Sequence, residues 1–147
     1  MRVTQYAYFA LFSDQVSAAE ITSRLSLAPD ESDILGSEHP HLPSPAFHSW
    51  RMVCREPNLR PDEQVIRIIT RLQPHTARIA HLAASFRTQS SGGAVLQLVR
   101  YLNDNDSAPH PPGFHPLGFH LDNTVMAFLH TTGAALDVNE YDLSEGY

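Results

Sequence analysis

Apolar and polar positions alternate through residues 3–12, with Ala7, Phe9 and Leu11 on one side and Tyr6, Tyr8 and Phe12 on the other. This period of two predicts a strand with two unlike faces. At Ser17 the period changes. Ser17 and Glu20 form a capping box, Val16 and Ile21 occupy the staple positions, and Ile21 and Leu25 face inward over a helix from 17 to about 25. Pro29 ends that run, and 28–35 reads as a short polar edge strand. Three prolines and a glycine make 36–45 a loop. In 47–54, His48, Trp50, Met52 and Cys54 form the more apolar row, and Phe47, Ser49, Arg51 and Val53 the mixed one. The Trp50 row is assigned to the core.

Two helices follow. Pro61 suits the first helical position and Asp62 and Glu63 the first turn, with Val65, Ile66, Ile69 and Leu72 as the predicted buried stripe. Pro74 interrupts, and Ile79, Leu82, Ala83 and Phe86 resume at helical spacing. After a turn at 90–93, Leu96, Leu98 and Leu102 point inward from a strand at 94–102, and Gln97, Val99 and Tyr101 point outward. A polar, Pro-rich loop at 103–116 leads to an expected strand at 117–121. Asp122 is the N-cap of a last helix carrying Val125, Phe128, Leu129 and Thr132, Gly133 is its stop, and a final strand covers 136–138.

This order, β-α-β-β-α-α-β-β-α-β, predicts an α+β fold: an antiparallel or mixed sheet with helices on one face, as in a ferredoxin-like sandwich. A dinucleotide-binding reading fails, because Gly92-Gly93 precedes a strand and no G-x-G-x-x-G exists. At 147 residues the chain is expected to form one domain, residues 1–147.

Charge and composition narrow the partners. Ten basic residues and a net charge of −6 argue against a nucleic-acid binder. No apolar run approaches the ~18 residues of a membrane span. The opening Met1 to Tyr6 lacks an apolar signal core, and Cys54 is the lone cysteine, so a cytoplasmic protein without a disulfide is expected.

Several stretches resemble a known family. They are 8–14 (Tyr-Phe-Ala-Leu-Phe-Ser-Asp), 21–30 (Ile-Thr-Ser-Arg-Leu-Ser-Leu-Ala-Pro-Asp), Gly36 followed by Trp50, and 133–141 (Gly-Ala-Ala-Leu-Asp-Val-Asn-Glu-Tyr). Over about Tyr6 to Tyr141 the chain resembles a bacterial family known as Domain of Unknown Function 4279. The resemblance implies an α+β domain and carries no catalytic role. The Pro- and His-rich loops stand outside the family pattern.

Nine histidines invite a metal reading, since His39, His41, His110 and His115 lie in the two long loops near Asp104 and Asp106. Their spacing matches no metal motif, so neither metal nor other cofactor is expected. Cys54 falls on the core row, where cysteines are inert. Arg67, Arg71 and Arg78 read as a solvated face. The face turned from the helices is the candidate site. By alternation it collects Tyr6, Tyr8, Ser49, Arg51, Gln97, Tyr101, His120 and Asp137. Aromatic, amphipathic surfaces of this kind engage protein partners, second copies or small molecules. The primary expectation is therefore a binding domain, a homodimer or a partner of another protein. The alternative is a small acid–base enzyme or small-molecule binder using His120, Asp137, Arg51 and the tyrosines.

Overall fold

A computed structural model describes residues 1–144. The elements are β1 (Val3–Ser13), α1 (Ala18–Leu25), β2 (Glu31–Asp33), β3 (His48–Cys54), α2 (Pro61–Leu72), α3 (Thr76–Gln89), β4 (Gly92–Leu102), α4 (Asn123–Thr132) and β5 (Ala135–Asp142). The strands form one five-stranded sheet in the order β2-β3-β1-β4-β5. Every pairing is antiparallel except β4 with β5, which is parallel and joined across α4. The fold is the expected α+β type, with a mixed sheet.

β1 sits in the middle and is paired along its length. Its Ala7, Phe9 and Leu11 enter the core beside Trp50 and Met52 of β3 and Ala94, Leu96 and Leu98 of β4. Buried apolar residues from all four helices join that same cluster. The helices therefore occupy one face, and the even-numbered residues of β1 are left on the other.

Local signals explain the helices. The Ser17 hydroxyl accepts from the Glu20 N–H at 3.2 Å, while the Glu20 carboxylate turns forward to Arg24 instead of closing the box. Asp122 accepts from the Val125 N–H at 3.1 Å, and Gly133 takes the left-handed conformation, φ 68°, that ends α4. A single 3₁₀ turn, Gln73–His75, absorbs Pro74 between α2 and α3. Gly92 is needed where β4 begins, because a Cβ there would overlap the Phe12 carbonyl oxygen.

Three expectations need correcting. Residues 117–121 are not a strand. β1 and β5 already occupy both edges of β4, so this segment has no ladder to join; Gly118 turns at φ 75° and Phe119 and Leu121 pack against the core edge instead. The α2 stripe is Val65, Ile68, Ile69 and Leu72, with Ile66 exposed. Ile68 completes the i, i+3, i+4, i+7 set, whereas Ile66 lies about 100° round the helix from Val65. Of 28–35, only Glu31–Asp33 pairs.

Asp30 secures that short edge. Its N–H donates to the Arg51 carbonyl, and its carboxylate accepts from the Val53 N–H at 2.8 Å and from both terminal nitrogens of Arg71. The hydrogen-bonded Arg71 guanidinium holds the carboxyl below its ordinary value. Among the described residues, no helix is long and apolar enough to cross a membrane.

This packing can be tested at Trp50 and at Asp30. Trp50 is fully buried, and its indole N–H donates to Thr22 Oγ1 at 3.2 Å. Trp50→Ala is expected to lower unfolding stability by about 3–5 kcal/mol in urea titrations. A cost under about 1 kcal/mol would contradict the core assignment. Because the folded-state pKa of Asp30 lies below the unfolded one, its stabilisation is complete above about pH 4 and lost as pH falls through the folded value. Asp30→Asn should flatten that acid limb of the stability profile, and an unchanged limb would refute the linkage.

Candidate functional site

Register settles which side chains share the open face. Tyr8 of β1 stands opposite Val53 of β3 and Gln97 of β4, and Gln97 stands opposite Asp137 of β5. Ala10 stands opposite Arg51, Tyr6 opposite Val99, and Tyr101 opposite Tyr141. Seven of the eight expected residues therefore lie on one face: Tyr6, Tyr8, Ser49, Arg51, Gln97, Tyr101 and Asp137. Ser49 and Gln97 are buried within it, and Asp137 is exposed.

His120 is the exception. With 117–121 outside the sheet, it lies on the helix side, in a groove with Asp62, Glu63, Ile66, Asp122 and Val125 at the N-terminal ends of α2 and α4. The acid–base pairing of His120 with Asp137 is thus not assembled, since the two occupy different layers.

The tyrosines form two stacks. Tyr6 and Tyr8 are 6.3 Å apart between ring centroids, and Tyr101 and Tyr141 5.4 Å, both at an interplanar angle of 21°. Arg55 lies 4.1 Å above the Tyr6 ring, and Arg51 5.7 Å from that of Tyr8. Both cations turn back to the β2 edge. Arg51 meets Asp33 at 3.0 Å and Glu31 at 3.8 Å, and Arg55 meets Glu31 at 3.0 Å. Arg51 is therefore committed within the chain and fastens β2 to β3.

At one end of the face the loop 36–47 folds over the sheet, pinned by a Gly36 N–H to Pro45 carbonyl bond and by the Phe12–Phe47 edge-to-face pair. Beneath it is a recess of about 240 Å³, floored by Ala10 and walled by Tyr8, Phe47 and Arg51. Burial pushes the Tyr8 phenol above its ordinary value, against the lowering pull of Arg51. Tyr101 is likewise raised, by desolvation and then by Tyr6 and Tyr141. These phenols stay neutral near pH 7 and act as hydrogen-bonding rings. Burial also raises the Cys54 thiol, which disfavours the nucleophilic thiolate.

The histidine loops divide. His39 and His41 are exposed. His110 accepts the Val3 N–H at its Nε2, 3.0 Å away, lies 3.3 Å from Asn58 Oδ1 through Nδ1, and stacks on Phe114. Thr4 and Arg2 bond Asp104, Asn105 and Ser107 in the same loop. The loop 103–122 is thus fastened to the start of β1. Among the described residues, no three His, Cys, Asp or Glu side chains gather as a metal site.

Sequence reasoning misses one cluster. Arg100 of β4, 3% exposed, donates through Nε to Gln5 Oε1 at 3.1 Å and through a terminal nitrogen to the Pro116 carbonyl at 2.6 Å. It also pairs with Glu140 at 3.1 Å and lies 5.7 Å from the Phe119 ring. Gln5 donates to the Leu59 carbonyl, and Gln64 to the carbonyls of Gln5 and Glu56. Alternation puts Arg100 and Gln5 on the inward rows, a signal the sequence does carry.

A family model described as a domain of unknown function, DUF4279, matches residues 3–143, and the chain belongs to that family. No curated protein and no solved structure matches it.

Arg100→Met should cost about 2–3 kcal/mol of stability, because charged hydrogen bonds are lost and buried acceptors are left unpaired. Hydrogen exchange should quicken in 103–122 more than in β1. A uniform change across both would show that the arginine does not anchor the loop.

Proposed function

We propose that this member of the DUF4279 family is a bacterial, cytoplasmic interaction domain, and that a second copy of the chain covers its open sheet face. The observation that supports this reading is the pair of tyrosine stacks on the one face that no helix covers. Large aromatic rings left on a sheet surface mark interfaces more often than bare solvent-facing sheets.

Area and symmetry favour a like partner. At about 4.8 Å between strands and about 3.4 Å per residue, the face spans roughly 650 Å² in projection. Side-chain relief and the loop 36–47 bring that close to the ~800 Å² per partner of a standard interface. A two-fold axis parallel to the strands would set β1 against its own copy, with Tyr8 near the centre, where hot spots concentrate. The charges on the face largely cancel within the chain through Arg51, Arg55, Glu31 and Asp33, so docking would bury few unpaired ions. The lone, half-buried Cys54 suits a reducing compartment.

Sedimentation equilibrium tests the proposal. The wild type should be dimeric, and Tyr8→Ser should weaken association about thirty-fold, the loss of an aromatic hot spot worth about 2 kcal/mol. Its thermal transition should stay cooperative. Arg51→Glu suits this purpose less well, because it would set three carboxylates together and loosen β2. A wild type that stays monomeric at its highest soluble concentration would overturn the proposal, and so would a dimer that Tyr8→Ser leaves intact.

A further inference from the structure

The sheet has a second unpartnered feature, which does not depend on the reading of its open face. Among the described residues β5 is hydrogen-bonded on one side only, to β4, and all eight of its residues are exposed. Free edges of this length are templates for another strand and are normally shortened, covered or charged. The opposite edge, β2, is closed by brevity, at three residues. β5 is not short, and its apolar content is high. Leu136 and Val138 stand in register beside Leu96 and Leu98 on the helix-side row. Leu96 and Leu98 are fully buried, whereas Leu136 and Val138 are 40% and 38% exposed. The apolar layer beneath the sheet thus runs past the last helix and ends as a ledge.

We infer that β5 docks an extended segment of another protein, apolar at alternate positions and carrying Lys or Arg between them, which adds a sixth strand to the sheet. The charge of the edge selects this occupant. β5 carries Asp137, Glu140 and Asp142, and residues 133–144 contain no Lys or Arg. Glu140, paired with Arg100, and Asp142, held by Asn103, lie on the row of Leu136 and Val138, so Asp137 is the carboxylate that an incoming cation meets on the opposite row. Pairing β5 with its own copy would bring four carboxylates without a cation, Asp137 and Asp142 of each chain, to one seam, and their mutual repulsion opposes it. A basic strand reverses that sign. Its apolar side chains meet Leu136 and Val138, and its cations lie toward Asp137 and the ring of Tyr141.

The test uses the full chain, ¹⁵N-labelled, with a capped seven-residue peptide of alternating lysine and valine as probe. Amide shifts should concentrate in 135–142, and the apparent affinity should fall as salt rises. Asp137→Lys should weaken binding at least tenfold, while Tyr8→Ser, which reports on the face, should leave it unchanged. A fully N-methylated lysine–valine peptide, which cannot donate to a ladder, and a glutamate–valine peptide should both fail to bind. Absence of shifts with the lysine peptide, shifts centred on Tyr8, or equal binding of the N-methylated peptide would overturn the inference. So would amides of 135–142 that become protected with protein concentration alone, since a second copy would then hold the edge.

Discussion

The pairing of β1 on both sides is the constraint on which the other features rest. It bonds to β3 over Ala7–Ser13 and to β4 along its whole length, so a one-residue slip on either side would invert every side chain of the central strand. Ala7, Phe9 and Leu11 would lose the core, and Tyr6 and Tyr8 would enter it. The helix layer and the open face are thus two consequences of one register. Trp50 and Phe9 make that register costly to change, because both are fully buried on the same side.

Polar groups at the β5 end of the core take the place that a helix fills elsewhere. Only the first turn of α2 reaches the start of β1 there among the described residues, through Gln64. Arg100, Gln5 and Gln64 instead bond the backbone of the loops that close over them, at Pro116, Leu59 and Glu56. A Pro-rich stretch of about twenty residues without regular structure is unusual in a small domain. Here it is held at its start by Arg2, Thr4 and His110 and at its end by Arg60 and Arg100. His110 is accordingly a tether, holding irregular backbone to the start of β1.

Uncovered surface remains in two places, and they differ in kind. The open face is aromatic, its rings are stacked in pairs, and Arg51 and Arg55 are matched there by Glu31 and Asp33. The β5 edge is acidic and apolar with backbone groups free on one side. The first suits a broad, self-complementary contact and the second a narrow, directional one, and the two meet along Asp137 and Tyr141.

Alternation within strands and caps at helix ends are local properties, and the chain states them outright. The two rows of β1, the burial of Trp50, the Ser17 and Asp122 caps and the Gly133 stop are all legible in the order of residues alone. So is the placement of seven of the eight residues expected on the open face, because period two assigns them to a side whatever the strand order. Only the tertiary structure could decide what depends on which edges are free. Residues 117–121 have the composition of a strand and form none, since β1 and β5 already flank β4, and His120 leaves the face with them. Arg100 lies on an inward row, but its acceptors come from segments up to 95 residues away, a proximity created by folding alone. Likewise the ledge at Leu136 and Val138 exists because the helix layer stops short of β5, a matter of how the last helix packs and not of any residue's own preference.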